Sequence, residues 1–231
     1  LHLSWHSFPT RRSSDLNHVL DATQAYFKPL TEEQLKGLPQ SSIDLLKQYG
    51  QQRELDQAVA TLDIPSYLAI MTYAADRALR EELYKAYTTR ASDQSEQTEF
   101  DNTQVMEEIL SLRQEMAQLL GFNNYAELSL ASKMAPDVAT VDQFLVELAE
   151  HARAPAEREI AELKAIAQQD NILDLQPWDT GYYSEKLKVQ QFNLSQESLK
   201  PYFPAPKILQ GLFSIVNRLY GINIVQREAP V

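Results

Sequence analysis

The run "TQVMEEILSLRQEMAQLLG" constrains this chain most. Its apolar residues Val105, Ile109, Leu112, Met116 and Leu119 are spaced four, three, four and three apart. That period places them on one face of an α-helix, whereas a strand would need a period of two. Gly121 stands next, where a left-handed helix stop is expected. Most of the chain repeats this logic. "NHVLDATQAYF" reads as a first helix. Thr31 with Gln34 reads as a capping box for a short one, and Ser41 or Ser42 as the cap of a helix around "IDLLKQY". "DRALREELYKAYTTR" is helical, and a long helical region runs from about Val141 to Gln169. Val141, Phe144, Leu145 and Leu148 form one stripe on it, and Ile160, Leu163 and Ile166 another. Pro155 lies between the stripes and is expected to kink the helix or split it into a hairpin. "PWDTGYYSEKLK" opens a further helix with Asp179 as its N-cap, and "PKILQGLFSIVNRLYG" ends at Gly221. The fold expected is mainly α, with minor β pieces near 58–64 and 222–228, where β-branched residues collect. A polar loop, "ASDQSEQTEFDN", interrupts the helices.

Bulk properties narrow the function. A net charge of −11 argues against a nucleic-acid partner, because phosphate binding needs a surplus of Lys and Arg. There is no cysteine, so disulfides and thiolate sites are excluded. The most apolar stretch, "IPSYLAIMTYAA", is far shorter than the roughly eighteen apolar residues of a membrane span. The first residues, "LHLSWHSFPTRRSSDL", lack the continuous apolar run of a signal peptide. They also lack periodicity, and their composition differs from that of the helical segments beyond Leu16. Residues 1–16 are therefore expected to be a non-native, adaptor-like or disordered tail, and residues 17–231 the folded part.

The chemistry-bearing patterns are few. The four histidines, His2, His6, His18 and His151, make no H-E-x-x-H pair. Glu147 and His151 have a helical spacing that suits two metal ligands, but Glu150 and Arg153 beside them mark a solvated surface, the favoured reading. No serine nucleophile elbow or phosphate-cradling glycine loop is present. Tyr84, Tyr87 and Arg90 lie three apart and share a helix side. Their hydroxyls and guanidinium suit the carbonyls or carboxylate of a peptide. The competing and favoured reading is a helix end whose Arg90 meets the dipole or a nearby acid. Tyr182 and Tyr183 cannot both face the core, so one is expected at solvent or a cleft. Trp178 is expected to pack inward with its indole N–H partnered.

Taken together, "TLDIPSYLAIMTYA", "LREELYKAYTTRASDQ", "DNTQVMEEILSLRQEMAQLLGFNNYAELSLASKMA", "LQPWDTGYYSEKLK" and "LKPYFP" with "GLFSIVNRLYGI" resemble the thimet oligopeptidase family of zinc metallopeptidases, which includes neurolysin. The likeness is greatest to the branch of bacterial oligopeptidase A, and runs from about Asn17 to Val231. The resemblance implies a two-lobed, mostly helical body with a deep channel that admits short peptides. It implies zinc held by the two histidines of H-E-x-x-H and a downstream glutamate, with the motif's own glutamate activating water. It further implies a cytoplasmic, monomeric parent that acts on short peptides, while the charge and hydropathy above leave neither a nucleic acid nor a membrane as an expected partner. The present sequence matches the portion upstream of the zinc motif. No catalytic or metal residue carries over, so the chain alone is expected to bind no zinc and to be inactive. Tyr84, Tyr87, Arg90, Tyr182 and Tyr183 remain as candidates for substrate contact. The alternative is a non-catalytic helical peptide-binding or scaffold protein.

Overall fold

The computed structural model describes residues 11–225 and residue 227. Its elements in chain order are α1 (Arg11–Ala25), β1 (Phe27–Pro29), α2 (Gln40–Gln51), β2 (Val59–Thr61), α3 (Ile64–Tyr73), α4 (Arg77–Thr88), α5 (Thr103–Leu119), α6 (Tyr125–Leu130), α7 (Val138–Gln169), α8 (Pro177–Phe192), α9 (Gln196–Leu199) and α10 (Ala205–Tyr220). The fold is mainly α, as its periodicity requires. The chain divides into two compact units, residues 1–184 and 185–231.

In the first unit, β1 and β2 pair antiparallel with Phe27 opposite Thr61 and Pro29 opposite Val59. A three-residue ribbon is too short to stand alone, and here the core lies against it. Leu30, Leu35, Leu46, Ala60, Ile70, Leu79 and Leu83 form a continuous buried cluster drawn from β2, α2, α3, α4 and the turn after β1. Leu46, Ile70 and Leu83 are fully enclosed. Gly37, at φ +88°, lets the turn before α2 press against the end of α3, where a side chain would collide with the Tyr73 carbonyl. Helix α1 begins at Arg11 and runs through the composition boundary after Leu16. Asn102 is buried, and its Nδ2 donates to the Asp15 carbonyl over 2.9 Å. Residues 1–10 lie outside the described residues.

Several local expectations change. The strand near 58–64 shortens to Val59–Thr61, because Pro65 occupies the first turn of α3 instead of extending the strand. The strand near 222–228 is not formed at 222–225 or at 227; residues 226 and 228 lie outside the described residues. Among the described residues no neighbouring strand offers those backbone groups a ladder, and an unpaired strand has nothing to stabilise it. Thr31 and Gln34 do bond reciprocally, but they close a turn, not a helix. Helix α2 is entered from Pro39 with no side-chain cap, and Ser42 is buried inside it. Pro155 neither ends nor splits α7, which continues through it for 32 residues.

The stripe on α5 is only partly used. Val105, Ile109 and Met116 are half-buried, while Leu112 and Leu119 are exposed. On α7, Leu163 and Ile166 are buried near the C-terminal end, whereas Phe144, Leu145 and Leu148 are exposed. In the second unit, Ser195 caps α9 through a reciprocal box with Ser198, and Gly221 in the left-handed region closes α10. None of its described residues is buried.

Candidate functional site

The polar heart of the first unit is an ion cluster between α4 and α8. Asp179 has no solvent exposure, and the Arg80 side chain retains only a trace. Asp179 is not the N-cap of α8. It stands in the first turn, and its Oδ2 reaches back to accept the Gln176 backbone N–H over 3.0 Å. Arg77 forks onto the same carboxylate, with Nε 3.1 Å from both oxygens and Nη2 2.8 Å from Oδ2. Arg80 Nη2 donates to Oδ1 over 2.8 Å. Burial alone would raise the Asp179 carboxyl, but the two guanidinium donors outweigh it and hold it below the usual carboxylate range. Arg80 also donates to the Ala74 carbonyl at the end of α3 and to the Trp178 carbonyl, and it lies 4.2 Å over the Tyr182 ring. One side chain thus fastens three helices. Two arginines on one carboxylate leave a surplus positive charge, which the helix-end carbonyls of α3 and the Tyr182 ring face stabilise.

The tyrosine pair divides as its sequence demands. Tyr183 is buried and Tyr182 half-buried, with the rings edge to face at 5.2 Å. Burial first, then the charge and hydrogen bond of Asp170, pushes the Tyr183 hydroxyl up to about 12. Trp178 is half-buried against Tyr84, with ring centroids 5.9 Å apart. Its indole Nε1 is enclosed with no hydrogen-bond partner among the described residues, contrary to expectation. The packing that orients the ring toward Tyr84 and Lys85 takes precedence over that hydrogen bond.

The second group of candidates gathers at the end of α4. The helix stops at Thr88, so Arg90 lies beyond it and does not continue its face. The guanidinium nevertheless folds back to 3.7 Å over the Tyr87 ring. Arg90 Nε donates to the Tyr87 carbonyl, in the last turn of α4, and Nη1 donates to Thr23 Oγ1 of α1, each over 2.8 Å. Tyr87 in turn stacks on Tyr67 of α3 at 4.1 Å. Burial, reinforced by Tyr84 and Tyr87 and opposed by Arg90, raises the Tyr67 hydroxyl. This geometry joins α1, α3 and α4, and it matches the helix-end reading of Arg90. The structure pairs Tyr84 with Trp178 and Tyr87 with Tyr67, and it places Tyr182 under Arg80 with Tyr183 edge to face beside it.

Arg77 and Arg80 are functional-looking residues that sequence patterns alone do not reveal. Their spacing of three shows a shared helix face, but nothing local points to a carboxylate about a hundred residues away. His151 Nδ1 lies 2.6 Å from the Glu147 carbonyl on an exposed helix surface. Among the described residues, no three His, Cys, Asp or Glu side chains converge as metal ligands. The described residues therefore do not assemble the donor set of a zinc site.

The family model for "Peptidase family M3" matches residues 70–230, which include Arg77, Arg80, Arg90 and Asp179 and α5 to α10. The chain belongs to peptidase family M3. Oligopeptidase A of Escherichia coli (strain K12) is 50% identical over 215 residues, which cover 92% of this M3 chain and 32% of that protein. Oligopeptidase A of Haemophilus influenzae is 46% identical over 215 residues, again 92% of this chain and 32% of its own length. The dipeptidyl carboxypeptidase of Escherichia coli (strain K12) is 32% identical over 203 residues, 86% of this chain and 29% of that protein. The M3 chain thus spans about a third of the length of the curated relatives it matches.

Proposed function

We propose that this chain is part of a zinc-dependent metallo-oligopeptidase that hydrolyses peptide bonds in short peptides. The observation that carries the reading is the 50% identity to a bacterial oligopeptidase A over 92% of the chain. In this reading the zinc ligands and the water-activating glutamate come from sequence outside these 231 residues. Residues 17–231 are the incomplete helical part of the catalytic region, and residues 1–16 are a non-native, adaptor-like or disordered tail, of which residues 11–16 enter α1. The parent is a cytoplasmic monomer. No helix among the described residues is long and apolar enough to cross a membrane. Tyr84, Tyr87, Arg90, Tyr182 and Tyr183 are the candidates for substrate contact; the first four are half-buried, and Tyr183 is buried edge to face against Tyr182.

The test pairs two proteins. One is the purified 231-residue chain; the other is a hybrid in which its matching stretch replaces the counterpart in Escherichia coli oligopeptidase A. The hybrid is expected to bind zinc stoichiometrically in calorimetry and to cleave a quenched fluorescent peptide, while the chain alone does neither. Zinc binding by the chain alone, tighter than about micromolar and lost in His151→Ala, would overturn the assignment of ligands to outside sequence. A hybrid that folds and binds zinc yet cleaves no peptide would favour the non-catalytic, peptide-binding alternative.

A further inference from the structure

The polar loop after α4 returns to where it started. The Asn102 N–H donates to the Ala91 carbonyl over 3.1 Å, so residues 91–102 leave and rejoin the body of the first unit at one neck. A surface loop closed in this way is an Ω-loop. Ala91 makes the outgoing bend at φ +51°, with its side chain buried. Beyond that bend, residues 92–101 are half-buried or exposed, and none is enclosed. Among the described residues, their hydrogen bonds all stay within residues 89–103. Ser95 N–H donates to the Ser92 carbonyl, Phe100 N–H to Gln97, Asp101 N–H to Thr98, and Thr103 N–H to the Asp101 carboxylate. The loop is therefore bonded to itself, and its hydrogen bonding to the body runs through the neck.

Both sides of that neck are tied to α1. On the outgoing side Arg90, next to Ala91, donates from Nη1 to Thr23 Oγ1 over 2.8 Å. On the returning side the buried Asn102 gives its whole amide to α1. Its Nδ2 donates to the Asp15 carbonyl over 2.9 Å, and its Oδ1 lies 2.8 Å from His18 Nδ1. A carbonyl cannot donate, so Nδ2 must face Asp15 and Oδ1 must face His18, whose Nδ1 therefore carries the hydrogen. The His18 ring also stands beside Phe100 of the loop, with ring centroids 6.4 Å apart. The Asp15 acceptor is a backbone group, so this tie needs helix at that position and no particular side chain. We propose that α1 is a strap across the neck of the Ω-loop, with Asn102 as the latch, so that residues 92–101 open and close as one unit under the control of α1. By linkage, whatever lifts α1 frees the loop, and whatever clamps the loop stiffens α1. The inference rests on the geometry of the first unit and not on the proposed catalysis.

Amide hydrogen exchange on the 231-residue chain tests it. The amides of Ser95, Phe100 and Asp101 should share one protection, lower than that of Leu83 in the core. The deciding variant is Thr23→Val, because Thr23 bonds Arg90 and Val19 and no residue of the loop. It should speed exchange of all three loop amides together by about fivefold, the effect of one lost hydrogen bond, and leave Leu46 and Ile70 unchanged. Asn102→Ala removes two ties and should speed the same amides by about 25-fold. If that variant does not fold, Thr23→Val decides by itself. Nitrogen-15 NMR of the neutral His18 ring supplies a separate readout, with the hydrogen expected on Nδ1. Loop amides that speed up one by one, a loop indifferent to Thr23→Val, or a neutral His18 with its hydrogen on Nε2 would overturn the inference. Peptide cleavage by the hybrid is read separately, so a strapped loop in an inactive hybrid would sustain this inference while defeating the catalytic one.

Discussion

Residues 22–91 and residues 185–225 are both built from helix-forming sequence, yet they use it differently. In the first region apolar side chains from α2, α3, α4 and β2 close around one another, and Leu46, Ile70 and Leu83 lose all contact with solvent. In the second, α10 has a cleaner apolar periodicity than α3 yet encloses no side chain, with only Phe213 and Val216 half-buried. Periodicity fixes which face of a helix is apolar. Burial also requires a second surface within reach, and burial rather than propensity holds a helix in place. Stability in this chain should therefore be concentrated in the first region.

Mutations should break the two regions very unequally. The largest effect is expected at Asp179. Asp179→Ala strands Arg80 in the interior and should cost about 3–5 kcal/mol, a large part of a typical domain's stability. Chemical denaturation of the first unit, followed by the fluorescence of Trp178, measures it; a loss below about 1 kcal/mol would show that water replaces the carboxylate. The same residue sets an acid limit. Its carboxyl is held below its unfolded value of about 3.9, so its stabilisation is complete above that value and lost as pH falls through the folded value. Asp179→Asn should remove this part of the pH dependence and leave the neutral-pH plateau lower.

Next in size is Leu46→Ala in the enclosed core, expected to cost about 2–5 kcal/mol by loss of transfer energy and creation of a cavity. Arg90→Ala should cost about 1–2 kcal/mol, since it removes a stack on Tyr87 and donors to the α4 end and to Thr23. Loosening of α1, seen as faster amide exchange near Thr23, should accompany it. The smallest effect is expected for Leu212→Ala in the 231-residue chain. An exposed leucine has little burial to lose, so the change should stay within about 0.5 kcal/mol. A cost there comparable to Leu46→Ala would erase the contrast between the regions.

Legibility tracks distance along the chain. The extents of α5 and α10 can be read from sequence, and so can Gly121 and Gly221 as left-handed stops at φ +83° and +67°, because their causes lie within one or two turns. Pro155 misleads because its local cost is real, yet the residues on both sides favour helix strongly enough to carry α7 through. Pro65 is ambiguous for a similar reason: its fixed φ serves a strand exit and a helix entry alike. At the candidate site, the sequence shows that Tyr182 and Tyr183 must face different ways, since adjacent helical residues point about 100° apart. It does not show which one goes inside.

What the sequence determined by itself is the helical character, most helix stops, the absence of thiol chemistry and, through long ordered matches, the family. What only the tertiary structure decided is where charge and aromatic rings meet. Asp179 became an ionic anchor instead of a cap because Arg77 and Arg80, about a hundred residues earlier, were brought onto its carboxylate. Arg90 was turned back onto Tyr87 because Thr23 of α1 stood within reach of its other nitrogen. Such pairings depend on which surfaces the core brings together, and hydrophobic burial chooses those surfaces without regard to the sequence distance between the charges it encloses.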